Sequence, residues 1–153
     1  MNQESSTPMV HGAPRFKTVV FDADSTLSSI EGVDWLATLR DESVARECEA
    51  LTARAMAGEI PLDAVYAQRL ERIRPTGAEL IMLAGMYSQT IVPGMRELIV
   101  ALREAQVHVH LLSGGLRAAL MPMALQLGIA ADRVHAVSVA RNNGGLREKD
   151  LKW

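Results

Sequence analysis

The sequence predicts an α/β fold in which a parallel sheet is interrupted by a helical insertion. Three short apolar runs, at residues 15–21, 107–112 and 134–139, have the composition of buried strands, and helical patterns lie between them. The first two runs each end in a polar turn, at Asp22 and at Ser113. Because ligands bind at the carboxyl ends of parallel strands, we expect these two turns to meet at one site. The predicted class is therefore a Rossmann-like parallel sheet.

The chain divides into a leader, a core and an insertion. Residues 1–14 are polar and contain serine, glycine and proline, so we predict a disordered leader there. Residues 31–90 carry apolar residues at intervals of three and four, which predicts a bundle of about four helices. We expect this bundle to form a cap inserted between the two parts of the α/β core, residues 15–30 and 91–153.

Local signals divide the helical segments. Pro61 and Thr76 follow breaks in the cap pattern, and both favour the start of a helix. After the cap, residues 95–105 have an amphipathic helical pattern. Residues 116–127 form a further predicted helix that Gly128 ends.

Composition narrows the function classes. Sixteen basic and eighteen acidic residues leave a net charge of −2, which gives no electrostatic reason to expect nucleic acid or an anionic membrane as partner. No apolar run reaches the roughly 18 residues that a spanning helix needs. Cys48 is the only cysteine, so no internal disulfide can form. We therefore predict a reducing, cytoplasmic compartment and a buried, unreactive Cys48.

Two carboxylates end the first predicted strand. Asp22 and Asp24 follow the apolar residues 19–21, and like charges this close are unfavourable unless a cation or an electrophilic phosphorus lies between them. One carboxylate could attack phosphorus beside a metal ion, while the other exchanges a proton with the leaving group. A calcium loop would need glycine and glutamate where Leu27 and Val33 stand. A polar turn in which Asp22 caps a helix is the remaining alternative.

The second strand ends in a glycine-containing turn. Residues 113–115 read Ser-Gly-Gly and stand at the junction of a strand and a helix. Such a junction presents free backbone N–H groups, and glycine allows an anion to approach the main chain closely. The turn alone is a weak signal, but beside the two carboxylates it indicates a phosphate site.

Together these motifs resemble the phosphoserine phosphatase family of the haloacid dehalogenase-like hydrolase superfamily. The resemblance runs from about residue 16 to about residue 145. The segments that carry it are residues 21–27, 31–34, 54–58, 68–70, 93–98 and 112–115. The first segment indicates the superfamily, and the helical segments indicate the narrower family.

The resemblance implies a chemical role for each strand end. Asp22 would be the nucleophile and Asp24 the general acid and base. The Asp22 carboxylate and the Asp24 backbone carbonyl would bind Mg²⁺, and Ser113 and Gly114 would bind the phosphate that is transferred.

The resemblance also implies how the substrate is recognised. Glu31 would bind the substrate ammonium, Arg69 its carboxylate, and Met56 would pack on the serine moiety. A zwitterionic amino acid needs one fixed charge of each sign, and arginine offers two parallel donors to a carboxylate. Without the resemblance, Glu31 and Arg69 would be interpreted as solvated helix charges.

The implied reaction is Mg²⁺-dependent hydrolysis of O-phospho-L-serine through an aspartyl phosphate, as in L-serine biosynthesis. The family pattern continues past Trp153 with a lysine and a Gly-Asp-Gly loop, so we expect the core to be incomplete at the C-terminus. The first strand would then be a sheet edge open to self-association. Alternatives are a catalytically impaired remnant or phosphate-binding module, and a phosphatase of another small phosphomonoester.

Overall fold

The computed structural model describes residues 14–139, 141–142 and 145–146. The predicted leader lies outside the described residues apart from Pro14, and so does the end of the predicted core, residues 147–153.

A parallel three-stranded sheet forms the centre of the fold. Its strands are β1 (Thr18–Phe21), β2 (His108–Leu116) and β3 (Val134–Val137), and β2 lies between the other two. Phe21 at the end of β1 is opposite Leu111 of β2, and the pairing of β2 with β3 shifts register after Ser113. The predicted parallel α/β class is confirmed.

A short antiparallel ladder follows the sheet along the chain. Its strands are β4 (Arg141–Asn142) and β5 (Gly145–Leu146), which pair with each other. They lie in a sheet of their own, separate from β1–β3.

The α-helices of the described residues occupy the predicted segments. They are α1 (Gly32–Thr38), α2 (Glu42–Met56), α3 (Leu62–Ile73), α4 (Gly77–Gln89), α5 (Met95–Glu104) and α6 (Arg117–Gln126). The first four lie within residues 31–90, so the helical character of that segment is confirmed, while the cap boundaries stay a prediction. None of these helices combines the length and the apolar character needed to cross a membrane.

Helix starts follow the predicted signals. Pro61 occupies the position before α3, and Thr76 caps α4 by accepting a hydrogen bond from the Glu79 backbone N–H at 3.2 Å. The Glu79 carboxylate in turn accepts from the Thr76 backbone N–H at 2.7 Å, which completes a capping box. These contacts fix where α4 begins.

One continuous core joins the sheet to the helices. Leu111 of β2, Leu120 of α6 and Tyr87 of α4 are fully buried in it, and burying a large apolar side chain contributes about 1.5–3 kcal/mol. Helix α4 packs along α6, so the last helix of the predicted cap contacts a helix of the predicted core. A smaller buried cluster between α2 and α3 contains Leu51, Ala55 and Val65.

Cys48 lies on α2 and is 1% exposed, which confirms the prediction that it is buried. Burial raises the pKa of its thiol, and the nearby Arg69 charge opposes that shift only in part. The reactive thiolate is therefore disfavoured, as expected of a structural cysteine.

Candidate functional site

The acidic pair lies on a tight turn that leaves β1. Residues Ala23–Leu27 form this turn, and Asp22 directly precedes it. Ala23 and Leu27 anchor the turn because both are fully buried. Ser25 has a φ of 50°, in the left-handed region that non-glycine residues rarely adopt. The turn therefore holds the two carboxylates in different environments: Asp22 is exposed and Asp24 is half-buried.

Asp22 makes a local contact. Its carboxylate oxygen Oδ1 accepts a hydrogen bond from the Ala23 backbone N–H at 2.6 Å. A helix-capping side chain accepts instead from the second or third residue of the helix, so this contact is not the one that the capping alternative requires. The same contact leaves the side chain at the exposed carboxyl end of β1, where the nucleophile of the predicted reaction would stand.

Asp24 makes long-range contacts. Its Oδ1 accepts hydrogen bonds from the Gly32 backbone N–H at 2.8 Å and from the Tyr87 hydroxyl at 2.6 Å. Its Oδ2 lies 3.5 Å from Oγ of Ser113. The two strand ends therefore meet, as the sequence predicts, and Asp24 rather than Asp22 makes the contact with Ser113.

The Ser-Gly-Gly residues lie within β2, where its pairing with β3 is irregular, and not in a turn after the strand as the sequence predicted. The Ser113 side chain is 7% exposed, and its Oγ accepts a hydrogen bond from the Gly115 backbone N–H at 3.0 Å. A Cβ on Gly115 would lie 3.3 Å from Oδ2 of Asp24 and 3.0 Å from Cδ1 of Leu120, whereas a Cβ on Gly114 would meet nothing within 4 Å. Gly114 therefore faces open space. At Gly115, the lack of a side chain leaves room for the Asp24 carboxylate to approach the backbone of β2.

A small cavity opens beside these strand ends. Its volume is about 190 Å³, below the roughly 300–1,000 Å³ of pockets for drug-sized ligands, so it suits a small molecule. Its lining residues are Asp24, Glu31, Val33, Asp34, Tyr66, Arg69, Gly114 and Gly115. The cavity thus contains one basic and three acidic side chains.

The charged residues of the cavity are already paired with neighbours. The Ser25 hydroxyl donates to Oε1 of Glu31 at 2.6 Å. Arg69, whose side chain is 13% exposed, donates to and forms an ion pair with Asp34. Its Nε is buried and has no hydrogen-bond partner among the described residues. That atom is out of contact with solvent, and the Arg69 side chain also has a hydrogen bond to Cys48.

The cavity brings together four of the predicted site residues: Asp24, Glu31, Arg69 and Gly114. The other three do not line it. Ser113 and Asp22 lie at the adjacent strand ends, and Met56 lies at the end of α2 with 79% of its surface exposed.

Sequence reasoning missed three polar residues of this site. Asp34 pairs with Arg69, Tyr66 lines the cavity and Tyr87 donates to Asp24. Burial is the main cause that raises the pKa of each tyrosine, and the Asp24 charge raises both further. One signal was available: these are the only two tyrosines of the chain, and both fall in apolar helical patterns.

Asp22 and Asp24 offer the types of oxygen atom that bind magnesium. Mg²⁺ prefers carboxylate and carbonyl oxygens and retains several water ligands, and the exposed Asp22 carboxylate and the Asp24 carbonyl are of this type. Among residues 14–139, no group of three or more histidine, cysteine, aspartate or glutamate residues is placed to hold a metal ion.

Comparisons with known proteins identify the family of this chain. A family model described as haloacid dehalogenase-like hydrolase matches residues 19–151. The human phosphoserine phosphatase is 37% identical over 118 residues, which are 77% of this chain and 52% of that protein. The chloroplastic phosphoserine phosphatase of Arabidopsis thaliana is 33% identical over 129 residues, 84% of this chain and 43% of that protein.

A solved structure is also similar. The phosphoserine phosphohydrolase-like protein from Francisella tularensis subsp. tularensis SCHU S4 has a TM-score of 0.77 and 25% identity, over 90% of this chain and 65% of that one. The chain spans about half the length of the curated relatives it matches.

Proposed function

The chain belongs to the haloacid dehalogenase-like hydrolases, and from this premise we propose that it hydrolyses O-phospho-L-serine to L-serine and phosphate. The observation that carries the proposal is the meeting of Asp24 with Ser113 beside a small charged cavity. The names of the relatives support the same substrate.

In the proposed reaction, the Asp22 carboxylate attacks phosphorus and forms an aspartyl phosphate. Asp24 gives a proton to the leaving serine oxygen and later takes one from the hydrolytic water. Ser113 and the backbone of Gly114 bind the phosphoryl oxygens, for which the open space at Gly114 leaves room. Mg²⁺, held by the Asp22 carboxylate and the Asp24 carbonyl, would offset the charge of the incoming phosphate.

The proposed recognition of serine uses both signs of charge. Arg69 would bind the substrate carboxylate, and its position as the one basic residue of the cavity lining supports this. Glu31 would bind the ammonium, and the Ser25 hydroxyl already fixes the position of its carboxylate. Met56 would have to move from its exposed position to pack on the serine moiety.

Replacement of the nucleophile tests the proposal. With Mg²⁺ and phosphoserine, we expect Asp22→Asn to lower phosphate release by at least about 1,000-fold, as for loss of a covalent nucleophile. Phosphate release is measured for both proteins, with urea unfolding as the control for folding. Equal release from both would exclude the enzymatic proposal, and retained binding of inorganic phosphate would then favour the phosphate-binding module.

Charge reversal at Arg69 tests the substrate. We expect Arg69→Glu to raise KM for phosphoserine at least about 10-fold, because a carboxylate would face a carboxylate. KM for 4-nitrophenyl phosphate, which has no carboxylate, should change little. Arg72→Glu is the matched control, since Arg72 lies on the same helix and pairs with Glu47 at the surface. An unchanged KM for phosphoserine would point to another small phosphomonoester.

The remaining features of the proposal concern place and organisation. The cap is proposed to comprise residues 31–90 and to close over the cavity, to which α1 and α3 contribute Asp34 and Arg69. A cytoplasmic location and a role in L-serine biosynthesis are proposed on the lone cysteine and on the substrate, respectively.

A further inference from the structure

Tyr87 is a fully buried tyrosine whose hydroxyl reaches the acidic turn. It lies on α4, its exposed fraction is 0%, and its hydroxyl donates to Oδ1 of Asp24 at 2.6 Å. A tyrosine in a core usually needs such a partner, because an unpaired hydroxyl there is costly. An unprotonated carboxyl oxygen can only accept, so the Tyr87 hydroxyl is the donor in this contact.

Gly32 makes the approach of Tyr87 possible. Its backbone N–H donates to the same oxygen, Oδ1 of Asp24, at 2.8 Å. A Cβ at Gly32 would lie 1.9 Å from the Tyr87 hydroxyl oxygen and 2.7 Å from its Cζ. Both distances are shorter than a van der Waals contact, so Tyr87 would have to move. The start of α1 and the face of α4 therefore fit together around one carboxylate oxygen because residue 32 is glycine.

The two oxygens of Asp24 consequently differ. Oδ1 receives two donors, which engage both of its lone pairs. Oδ2 lies 3.5 Å from Oγ of Ser113. A proton on Oδ1 would displace one of these two short hydrogen bonds, whereas a proton on Oδ2 would displace only the long one that the Ser113 hydroxyl donates to it.

We infer that Tyr87, with the Gly32 backbone, is a positioning residue that makes Oδ2 of Asp24 the oxygen that transfers the proton. This inference rests on the proposed function. As Asp22 forms its bond to phosphorus and the bond from phosphorus to the serine oxygen breaks, the proton of Oδ2 passes to that oxygen. Serine leaves as a neutral alcohol, and Asp24 remains as a carboxylate.

The inference distinguishes between leaving groups. Serine alkoxide needs a proton as it departs, whereas 4-nitrophenolate is stable without one. We expect Tyr87→Phe to lower kcat/KM for phosphoserine at least about 10-fold and kcat/KM for 4-nitrophenyl phosphate by less than about 3-fold. The ratio kcat/KM reports the steps up to departure of the leaving group, where only phosphoserine needs general acid catalysis, and not the later hydrolysis that both esters share. Both are measured with Mg²⁺. Equal losses on the two esters, or no loss on phosphoserine, would overturn the inference.

Ser88→Ala is the matched control, since it also removes a hydroxyl from α4. That hydroxyl donates to the Ala84 carbonyl of its own helix, at 2.9 Å, and does not contact Asp24. We expect this variant to hydrolyse both esters with the same kinetic constants as the unchanged protein. A selective loss on phosphoserine in Ser88→Ala would assign the effect to the helix and overturn the role of Tyr87.

A second measurement does not require turnover. Urea midpoints are determined for Tyr87→Phe, Asp24→Ala and the double variant. If Tyr87 holds Asp24, the double variant loses less than the sum of the two single losses, because the shared hydrogen bond is lost only once. Additive losses would overturn the inference. If the unchanged chain releases phosphate from neither ester, the proposed function fails, and the midpoints still decide whether Tyr87 holds Asp24.

Discussion

Gly114 and Gly115 are adjacent glycines with different surroundings, and their substitution isolates the packing of Asp24. A Cβ at position 115 would press on Oδ2 of Asp24 and on Leu120, while a Cβ at position 114 would enter open space. We expect Gly115→Ala to destabilise the fold by about 1–3 kcal/mol, as overpacking does. Gly114→Ala should change stability by no more than about 0.5 kcal/mol. Urea unfolding measures both, and equal effects would contradict the described packing of Gly115.

The residue scale also shows where prediction from sequence was incomplete. The acidic pair of Asp22 and Asp24 could be recognised from the sequence because only one residue separates them. The partner of Asp24 was not, because Tyr87 is 63 positions away and a tyrosine in an apolar helical pattern is indistinguishable from an ordinary core residue. Asp34 was similarly missed as the partner of Arg69, 35 positions away.

At the scale of the elements, one ion pair joins three helix ends. Arg40, after α1, donates to both carboxylate oxygens of Glu79 at 2.7 and 2.8 Å and to the Ile73 carbonyl at the end of α3 at 2.6 Å. Glu79 belongs to the capping box of α4. The hydrogen bonds from Arg40 are the largest of the causes that lower the pKa of Glu79 to about 2, from 4.5.

The lowered pKa predicts how stability depends on pH. A carboxyl group whose pKa is lower in the folded state stabilises the fold above its unfolded pKa and loses this contribution as pH falls through the folded value. We expect Glu79→Gln to lower the free energy of unfolding at pH 7 by about 0.5–2 kcal/mol, as loss of a helix cap does. The difference from the unchanged protein should narrow between pH 4.5 and about 2.

Urea unfolding across this pH range checks the prediction. Glu42→Gln is the control, because the Glu42 side chain is 82% exposed and its pair with Arg46 is solvated. Its effect at pH 7 should stay within about 0.5 kcal/mol. If the difference in the free energy of unfolding between Glu79→Gln and the unchanged protein is the same at pH 7 and pH 2, the ion pair does not contribute to stability.

At the scale of the whole molecule, the sheet has an accessible edge. Within the described residues β1 pairs with β2 alone, and Val20 of β1 is 56% exposed. An apolar edge strand is a template for pairing with another chain. The self-association expected from the sequence therefore remains a proposal, supported by the edge position of β1.

A charge on β1 tests self-association. We expect the weight-average mass of the chain to rise with concentration in analytical ultracentrifugation, and Val20→Lys to suppress the rise because a lysine on an edge strand opposes pairing. Val100→Lys is the control, since Val100 is similarly exposed, at 49%, but lies on α5. A constant mass for the unchanged chain, or equal suppression by both variants, would exclude association through this edge.

The sequence by itself determined the kinds and order of the main elements from β1 to β3, because strand and helix patterns and the signals at Pro61 and Thr76 are local. It also determined that the two strand ends lie at one edge, since parallel strands leave no other arrangement. It did not predict the short β4–β5 ladder. Only the tertiary structure decided that Asp24 contacts Ser113, that Tyr87 and Gly32 hold Asp24, and that Arg69 pairs with Asp34. These pairs join residues far apart along the chain, so their geometry depends on how the helices pack and not on any local pattern.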